Sequence, residues 1–453
     1  MLKSKLTKCV QPDFKCVTGG DFVSYTQYNF KRDFFYEAEN AIENSSITFI
    51  TGPKKCGKTV CLRQLADAYE NALYINMKYD FDTDEKRNDV VSRAVNSIAN
   101  GQKIIYLIDD AEYLALPDKD IAKIAGAYSK YDNQCTKVVF AGSHSESLEF
   151  WGHIACGGNA SFIRVGFLNF SEWLSFKGIT EISERSYSDF LHGCKEFCQG
   201  FDNTEKYLQD YLDETAELAE KPIEYITGAE TESVNVNTIL DVLCSSLKEQ
   251  INKTDISKIH TGELEKSVSV SDYDCKKAIR FLSDNKLATL TYITDKPTAD
   301  PYITQKFLKP SNELYRNPEV FSRLRLTVDY PMFCIDLINS ATKVANPDKI
   351  SDDILRIIVT AHIRSLLSCS GVFEYENSPV STVFIGNSGY SVEVLLSDDI
   401  DLSHSLDSVP EDYEKIILTT SREEVAGGIR LIPYYRFIFD RSVNRKKVQY
   451  ENQ

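Results

Sequence analysis

Short apolar runs alternate with amphipathic segments between residues 30 and 180. Five of these runs are typical of buried strands, and they lie at 48–50, 72–77, 103–108, 137–142 and 161–167. Apolar side chains recur at helical spacing in the segments between them, as at Leu62 and Leu65. Because a helix follows each strand, we expect right-handed crossovers and a three-layer α/β sandwich.

A glycine-rich loop connects the first of these strands to the helix that follows it. Its sequence, Gly-Pro-Lys-Lys-Cys-Gly-Lys-Thr, fits the phosphate-binding pattern G-x-x-x-x-G-K-[ST]. The glycines let the backbone curl until successive N–H groups point inward, and the helix amino terminus adds about half a positive charge. The predicted nucleotide-binding residues are Gly52, Pro53, Lys54, Lys55, Cys56, Gly57, Lys58, Thr59 and Val60.

The last two residues of the pattern have specific roles in phosphate chemistry. Lys58 is expected to reach the β- and γ-phosphates of a nucleotide, and the Thr59 hydroxyl is expected to ligate Mg²⁺. The alternative is a glycine turn before an ordinary helix. The strand before the loop and the helix after it favour the phosphate-binding interpretation.

Two carboxylates, Asp109 and Asp110, follow directly after the apolar run 103–108. A buried parallel strand delivers such residues to its carboxyl edge, where ligands bind. We therefore expect Asp109 to hold Mg²⁺ opposite Thr59, and Asp110 to orient and polarise the attacking water. The alternative is a strand that ends in an acidic turn.

Ser143 follows the apolar run 137–142 in the same way. Its hydroxyl could sense the γ-phosphate or the attacking water, which makes Ser143 a candidate catalytic residue. Alternatively, it could cap the amino terminus of a helix over 145–151. The sequence leaves both roles open.

The hydrophobic pattern changes near residue 237. Three predicted helices are followed by two predicted strands, at 238–249, 256–268, 271–285, 288–293 and 302–308. Three helices and a hairpin make a winged helix, which is a DNA-binding shape by analogy only. The third helix offers Lys276, Lys277 and Arg280 to a nucleic acid. The alternative is a packing module inside a multidomain ATPase.

Five segments of the chain occur in the order seen in prokaryotic AAA-like ATPases. They are GPKKCGKTVCLRQLA, ALYINM, IIYLIDDAEYL, KVVFAGS and VGFLNFSEWL, so residues 30–180 resemble that family. The resemblance implies a P-loop NTPase domain with ATP and Mg²⁺ as its ligands. The binding roles of the family carry over to Gly52, Gly57, Lys58, Thr59 and Asp109.

The chain departs from the pattern of that family in its site. Asp110 stands where related ATPases usually place a glutamate, and it is one methylene shorter. This difference affects the expected rate of hydrolysis rather than nucleotide binding. No clear arginine finger can be assigned, although Arg164 lies near the position that the resemblance indicates.

Members of the family also carry a winged-helix segment and a carboxyl-terminal nuclease-like domain of the PD-(D/E)XK type. The resemblance implies an α/β chain of four segments: a P-loop ATPase domain over 1–185, a helical linker over 186–230, a winged-helix-like domain over 231–330 and a nuclease-like domain over 331–453. In the last segment we predict a helix, a hairpin and two final strands, at 353–367, 381–385 with 390–396, 413–419 and 428–433.

The nuclease-like segment lacks most residues that metal-assisted cleavage needs. Such cleavage uses clustered carboxylates and a lysine around a divalent metal. The corresponding positions hold Thr360, Val383 and Leu395, and only Glu393 keeps an acid. We therefore expect a degenerate, catalytically inactive domain.

Composition limits the choice of partner and compartment. The 453-residue chain has a formal net charge of −16, so it repels nucleic acid unless it carries a local basic face. Its one dense basic run, at 441–447, is more typical of a solvated tail. No apolar run has membrane-spanning length, no secretory signal is seen, and the 12 cysteines form no framework. We expect reduced thiols and a cytoplasmic location.

These observations favour an ATP-binding protein that hydrolyses ATP slowly and couples nucleotide state to an unknown protein partner, in an unknown oligomeric state. One alternative is a nucleotide-gated binding protein with negligible turnover, and another is a DNA-binding regulator that uses the winged helix. A GTPase needs an NKxD segment to read guanine. The nearest segment, 285–288, ends in Ala288 instead of aspartate, which favours ATP.

Overall fold

The structure is a computed structural model of the chain. It describes residues 29–131, 134–194, 198, 201–219, 235–252, 271–294, 324–328, 330–342, 352–367, 373–375, 383–385, 390–400, 409 and 413–451. The chain divides into two compact units. The first unit takes in the chain up to residue 50, 58–142 and 151–163, and the second takes in 51–57, 143–150 and the chain from 164 onward.

Helices and strands alternate along the first part of the chain. The elements are α1 (Asp33–Asn44), β1 (Ile47–Thr51), α2 (Lys58–Ala68), β2 (Ala72–Asn76), α3 (Asp84–Ala99), β3 (Ile105–Asp109), α4 (Pro117–Tyr131), β4 (Lys137–Gly142), α5 (Ser145–Cys156) and β5 (Ala160–Arg164). All five strands predicted from the apolar runs are confirmed. The fifth is shorter than predicted, since it ends at Arg164 and not at residue 167.

The five strands form one sheet in the order β2-β3-β4-β1-β5. β2 pairs in parallel with β3, and β3 pairs in parallel with β4, as the alternation of strands and helices predicts. Every residue of β1 and β3 is buried, which is typical of strands covered on both faces. Inside this core the Phe49 ring stacks on Phe140 and Phe162, with centroids 5.3 and 5.0 Å apart.

The described part of the second unit continues with helices and then a second sheet. Its elements are α6 (Phe170–Lys177), α7 (Glu184–Gly193), α8 (Thr204–Ala219), α9 (Val236–Asn252), α10 (Asp272–Asp284), β6 (Ala288–Thr294), β7 (Leu324–Val328), α11 (Pro331–Thr342), α12 (Asp352–Leu367), β8 (Phe373–Tyr375), β9 (Val383–Ile385), β10 (Tyr390–Val394), β11 (Glu414–Thr419), β12 (Glu424–Ala426), β13 (Ile429–Pro433) and α13 (Tyr434–Glu451).

Strands β6 to β13 form one sheet in the order β12-β13-β11-β10-β9-β8-β6-β7. β9 and β10 pair antiparallel, which confirms the predicted hairpin. β10 then pairs in parallel with β11, and β11 with β13. The helices from α6 to α13 and one face of this sheet share a single core of buried apolar side chains.

The segment predicted as a winged helix meets this same sheet. β6 pairs antiparallel with β7 and in parallel with β8, so strands from both sides of the predicted boundary at residue 330 lie in one sheet. The predicted return strand at 302–308 and the predicted helix at 256–268 lie outside the described residues. The division into four segments stays a prediction.

A search of the described residues finds no helix that is both long and apolar enough to span a membrane.

Candidate functional site

The carboxyl ends of β2 and β3 place two polar residues side by side in the first unit. Asn76 ends β2, Asp109 ends β3, and the two are partners in the register of the parallel sheet. Asp109 is 1% exposed, and Lys58, the first residue of α2, is 6% exposed. The predicted phosphate-binding lysine and the predicted magnesium ligand are therefore both buried, polar residues of the first unit.

Thr59 and Asp109, the two predicted metal ligands, are in contact. The Thr59 hydroxyl donates a hydrogen bond to the Asp109 carboxylate. Burial raises the pKa of Asp109, while hydrogen bonds from Thr59 and Tyr74 and the charge of Lys58 oppose that rise. A hydroxyl and a carboxylate supply the oxygen ligands that Mg²⁺ prefers, so these residues fit that ion.

Two residues that the sequence analysis missed complete the surroundings of Asp109. The Tyr74 hydroxyl donates to Asp109 Oδ2 at 2.9 Å, and Asn76 Nδ2 donates to the same oxygen at 3.5 Å. The sequence shows their two-residue spacing on a predicted strand, whereas the pairing of that strand with β3 comes from the structure. Residues 74 and 76 share one face of β2 because side chains alternate along a strand, and β2 neighbours the strand that carries the acid.

Asp110 lies just beyond β3 in a left-handed backbone conformation, with φ 50° and ψ 50°. A residue with a Cβ populates this region sparsely, so neighbouring groups must hold it there. Asn76 Nδ2 donates to Asp110 Oδ2 at 2.9 Å. The amide oxygen of Asn76 in turn accepts from the N–H groups of Lys78 and Tyr79 at 3.0 and 2.9 Å. The candidate water-orienting carboxylate is thus fixed through one asparagine.

The glycine loop that leads into Lys58 belongs to the second unit. Gly52 passes the main chain of Val165 so closely that a Cβ would lie 2.1 Å from its carbonyl oxygen. Gly57 has a φ of 97°, which glycine adopts without strain. Both glycines of the pattern are therefore required by the backbone. Lys55 also has a positive φ, 62°, and is the one loop residue with a side chain that does.

Ser143 is buried between the end of β4 and the start of α5. Its carbonyl oxygen accepts hydrogen bonds from the Ser145 N–H at 3.0 Å and from the Tyr211 hydroxyl. Both contacts use the backbone of Ser143. The two predicted roles of its hydroxyl, sensing phosphate and capping the helix, stay open.

Arg164, which lies near the arginine-finger position implied by the family resemblance, forms an ion pair within the second unit. Its Nε donates to both carboxylate oxygens of Glu149 at 3.0 and 3.1 Å, and its Nη2 donates at 2.6 Å. Glu149 also accepts from the Thr51 hydroxyl at 2.7 Å. Although burial favours the neutral acid, the charges of Lys286 and Arg164 hold the pKa of Glu149 below its ordinary value. The Arg164 guanidinium therefore has an internal carboxylate partner.

The basic residues predicted to face a nucleic acid lie on α10. The Lys277 ammonium sits 4.2 Å from the centre of the Tyr273 ring, and Arg280 Nε lies 3.4 Å from Asp284 Oδ2. These contacts within one helix are also typical of an ordinary solvated face, so they favour neither interpretation.

Glu393, the acid retained in the segment that we predict to be nuclease-like, is 1% exposed on β10. Its register partners are Val383 on β9 and Ile417 on β11, and Leu395 packs in the apolar cluster that contains Ile417. Neither of its carboxylate oxygens has a hydrogen-bond partner among the described residues. Burial raises the pKa of Glu393 to about 7.

A family model described as an AAA domain matches residues 44–174. The match includes β1 to β5 and the glycine loop. The match and the five-stranded α/β sheet fit a P-loop NTPase fold in this part of the chain. No curated protein matches the chain.

Several solved structures are similar to part of this chain. The Walker-type ATPase PABY2304 of Pyrococcus abyssi is 14% identical, with a TM-score of 0.36, and the match covers 57% of this chain and 91% of the ATPase. Cdc6p from Pyrobaculum aerophilum is 11% identical, with a TM-score of 0.29 over 60% of this chain and 89% of that one. AMPPCP-bound DnaA from Aquifex aeolicus is 15% identical, with a TM-score of 0.26 over 58% and 90%.

Proposed function

We propose that the chain binds ATP with Mg²⁺ through Gly52–Thr59 and hydrolyses the bound nucleotide slowly. The observation that carries the proposal is the hydrogen bond from Thr59 to the buried carboxylate of Asp109. It joins the last residue of a phosphate-loop pattern to an acid at the end of a parallel strand, which is the pairing that a nucleotide-bound magnesium ion needs.

Each residue has a defined part in this proposal. Lys58 and the loop N–H groups would bind the phosphates, and Thr59 and Asp109 would hold Mg²⁺. The ion, when bound, neutralises charge that develops on the phosphate oxygens. Asp110 would accept a hydrogen bond from the attacking water and orient it for in-line attack.

The identity of residue 110 sets the expected rate. Aspartate is shorter than glutamate, so it holds a water further from the in-line position, and a misplacement of about 1 Å can cost on the order of 100-fold. We therefore expect turnover below the enzyme median of about 10 per second.

A second candidate function is nucleotide-gated binding with negligible turnover. The observation that favours it is the hydrogen bond from Asn76 to Asp110, because that bond occupies one oxygen of the proposed base. In this case ATP sets a conformation and is not consumed.

Nucleotide binding is tested with Lys58→Ala. The variant removes a charged donor from the β- and γ-phosphates, and hydrogen bonds to charged groups contribute on the order of 1.5–3 kcal/mol each. Titration with labelled ATP and Mg²⁺ should show binding at least about tenfold weaker than in the wild type. Lys86→Ala, at an exposed lysine of the same unit, is the matched control. Equal affinities in wild type and Lys58→Ala would disprove the site.

Hydrolysis is tested by single-turnover assays on the wild type, Asp110→Asn and Asp110→Glu. Asp110→Asn should bind ATP and hydrolyse it more slowly, and Asp110→Glu should be the fastest of the three. If Asp110→Asn is as fast as the wild type, Asp110 does not orient the water. Hydrolysis absent from the wild type would favour the gated-binding function.

The carboxyl-terminal elements are proposed to transmit nucleotide state to a protein partner, in the cytoplasm, without cutting DNA. The support is the apolar pairing of Glu393 with Val383 and Ile417, where a metal site needs further acids. Plasmid incubated with the protein and Mg²⁺ or Mn²⁺ should stay intact. Cleavage that Glu393→Ala abolishes would contradict this part of the proposal.

A further inference from the structure

Helix α8 contacts the glycine loop through groups that the proposed chemistry does not use. The Tyr207 hydroxyl donates to the carbonyl oxygen of Lys54 at 3.0 Å. The Lys54 ammonium forms an ion pair with Glu214 and donates to the carbonyl oxygen of Asp210 at 2.9 Å. Lys55 Nζ lies 3.7 Å from Asp210 Oδ2. Both variable lysines of the loop therefore interact with the same helix, within the second unit.

The contacts between α8 and the glycine loop differ in how deeply their side chains are buried. Tyr207 is 2% exposed, and the side chains of Glu214 and Lys54 are 9% and 17% exposed. Asp210 has a side chain that is 46% exposed, so water screens its attraction to Lys55. Tyr207 and Glu214 thus supply the buried side-chain contacts of α8 to the loop, in addition to the bond from Lys54 to the Asp210 carbonyl oxygen.

The bond from Tyr207 has a direct consequence for the loop backbone. In a trans peptide the carbonyl oxygen and the following N–H point in opposite directions. Because Tyr207 holds the Lys54 carbonyl toward α8, the N–H of Lys55 points away from α8. An orientation of N–H groups away from the supporting structure is what a phosphate-binding loop needs. The same contact fixes Lys54, the residue before Lys55. This support matters because Lys55 has a left-handed φ, which is costly for a residue with a side chain.

The same face of α8 also contacts the segment that follows β4. The Tyr211 hydroxyl donates to the Ser143 carbonyl oxygen, and His144 Nε2 lies 3.0 Å from Thr215 Oγ1. The contacting residues of α8 are spaced three, four, seven and eight positions apart, at 207, 210, 211, 214 and 215, so they form one stripe along the helix. One helix face therefore holds two segments, the loop and residues 143–144.

Elsewhere α8 is anchored to α10 and α11. The Tyr207 ring packs 5.2 Å from Phe333, and the Tyr211 ring packs edge-on 5.8 Å from Phe281. The hydroxyl and N–H of Thr204 donate to Asp336 Oδ2 at 2.7 and 2.8 Å. The two tyrosines that contact the loop and Ser143 are thus also part of the core of the second unit.

We propose that Tyr207 and Glu214 are positioning residues for the glycine loop, and that nucleotide binding and the docking of α8 stabilise each other. The inference rests on the proposed nucleotide-binding function. It identifies α8 as the element that couples nucleotide binding to the packing of α10 and α11. By linkage, any change in α8 docking that alters nucleotide affinity is matched by an equal effect of nucleotide on α8 docking.

The first test measures nucleotide affinity by titration of labelled ATP and ADP. Tyr207→Phe removes one hydroxyl and keeps the ring, and Glu214→Gln removes one charge and keeps the shape. We expect each to weaken both nucleotides by about three- to tenfold, the range of a single lost hydrogen bond. In steady state KM should rise by the same factor while kcat changes by less than about twofold, because binding is weakened equally in the ground and transition states. Glu217→Gln, at an exposed acid of α8, is the matched control.

A double-mutant cycle tests whether Glu214 acts through Lys54. The combination of Lys54→Met with Glu214→Gln should weaken binding by less than the product of the two single effects, because both remove the same ion pair. Multiplicative effects would show that Glu214 does not act through Lys54 and would overturn its positioning role.

The reciprocal effect is tested by hydrogen exchange on the full chain. ATP at the lowest concentration that saturates the wild type should increase protection of the amides in Thr204–Ala219, and the increase should be smaller in Lys58→Ala at the same concentration. A merely structural role for α8 predicts lower thermal stability in Tyr207→Phe with unchanged nucleotide affinity, and that result would overturn the inference.

The outcomes separate this inference from the proposed function. If the wild type itself does not bind ATP, the proposed function fails and this inference fails with it. If the wild type binds, Lys58→Ala does not, and both α8 variants bind as tightly as the wild type, then only the positioning role is wrong.

Discussion

Asp109 and Glu393 are both carboxylates buried on inner strands, each 1% exposed, yet their surroundings differ. Asp109 accepts hydrogen bonds from Thr59 and Tyr74 and has the charge of Lys58 nearby. Glu393 has apolar register partners, and neither oxygen has a hydrogen-bond partner in the described part of the chain. Burial raises the pKa of both acids.

Hydrogen-bond donors distinguish a buried carboxylate that can work as an anion from one that cannot. A buried charge is costly unless it is paired and hydrogen-bonded, so the donors around Asp109 are consistent with a residue that works as a carboxylate. Without such donors, burial raises the pKa of Glu393 to about 7, so a large fraction of this acid carries a proton at neutral pH. A single buried acid with apolar neighbours is therefore weak evidence of nuclease chemistry.

The largest expected difference between the two acids is in ATP turnover. Asp109→Asn removes the charged oxygen ligand of the proposed Mg²⁺ site. Metal-ion stabilisation contributes several kcal/mol, and about 4 kcal/mol corresponds to on the order of 1000-fold in rate. Glu393→Gln should change turnover by less than about twofold, because it lies outside the proposed nucleotide site. Steady-state assays at saturating Mg²⁺ compare the two, and equal losses would remove the distinction drawn between them.

The next effect is on stability and concerns Glu393. Its pKa is about 7 in the folded protein and 4.5 ordinarily, so the folded state binds the proton more tightly. Folding stability is therefore unaffected by this group below about pH 4.5, falls as the pH rises toward 7, and stays lowered above that. The total loss is on the order of 3 kcal/mol.

Glu393→Gln does not titrate, so its urea midpoint should fall less than that of the wild type between about pH 4.5 and 7. Glu424→Gln, at an exposed acid of the same sheet, should keep the slope of the wild type. If the urea midpoints of wild type and Glu393→Gln fall in parallel with pH, the pKa of Glu393 is not raised in the folded protein.

The sequence predicted the first sheet better than the second for a physical reason. Buried parallel strands appear as continuous apolar runs, and the glycine loop has a fixed spacing. All five strands, the two glycines and the Thr59–Asp109 pair could therefore be predicted from the sequence. The partner of β6 was predicted within a local hairpin but comes from Leu324–Val328, because short mixed strands leave pairing to distant contacts. Tyr74 and Asn76 were missed since nothing in their residue type marks them before the strand order is known.

A smaller effect is expected at the residue that holds Asp110. Asn76→Ala removes the donor to Asp110 Oδ2, together with the longer bond to Asp109 and the acceptor for the N–H groups of Lys78 and Tyr79. The bond to Asp110 by itself contributes about 1 kcal/mol, or about fivefold in rate. We expect single-turnover hydrolysis to slow by that factor while ATP affinity stays near the wild-type value. Faster hydrolysis would show the opposite, that Asn76 withholds the carboxylate from water. Asn100→Ala, at an exposed asparagine after α3, controls for loss of an amide elsewhere in the unit.

The smallest effect tests whether Asp109 can be moved toward the state of Glu393. Tyr74→Phe keeps the ring and removes the hydroxyl that donates to Asp109 Oδ2 at 2.9 Å. Thr59 still donates to the same carboxylate, so the loss is one hydrogen bond of about 0.5–1.5 kcal/mol. A carboxylate with fewer donors is held less firmly for its metal, because hydrogen bonds to a ligand fix its orientation. The Mg²⁺ concentration for half-maximal turnover should therefore rise by about two- to tenfold, with the rate at saturating Mg²⁺ nearly unchanged.

The control is Tyr106→Phe, because Tyr106 lies on the same strand as Asp109 and its buried hydroxyl bonds to Ser97. This variant should leave the Mg²⁺ dependence as it is. The same Mg²⁺ dependence in Tyr74→Phe and wild type would mean that the hydroxyl of Tyr74 does not orient Asp109 for its metal.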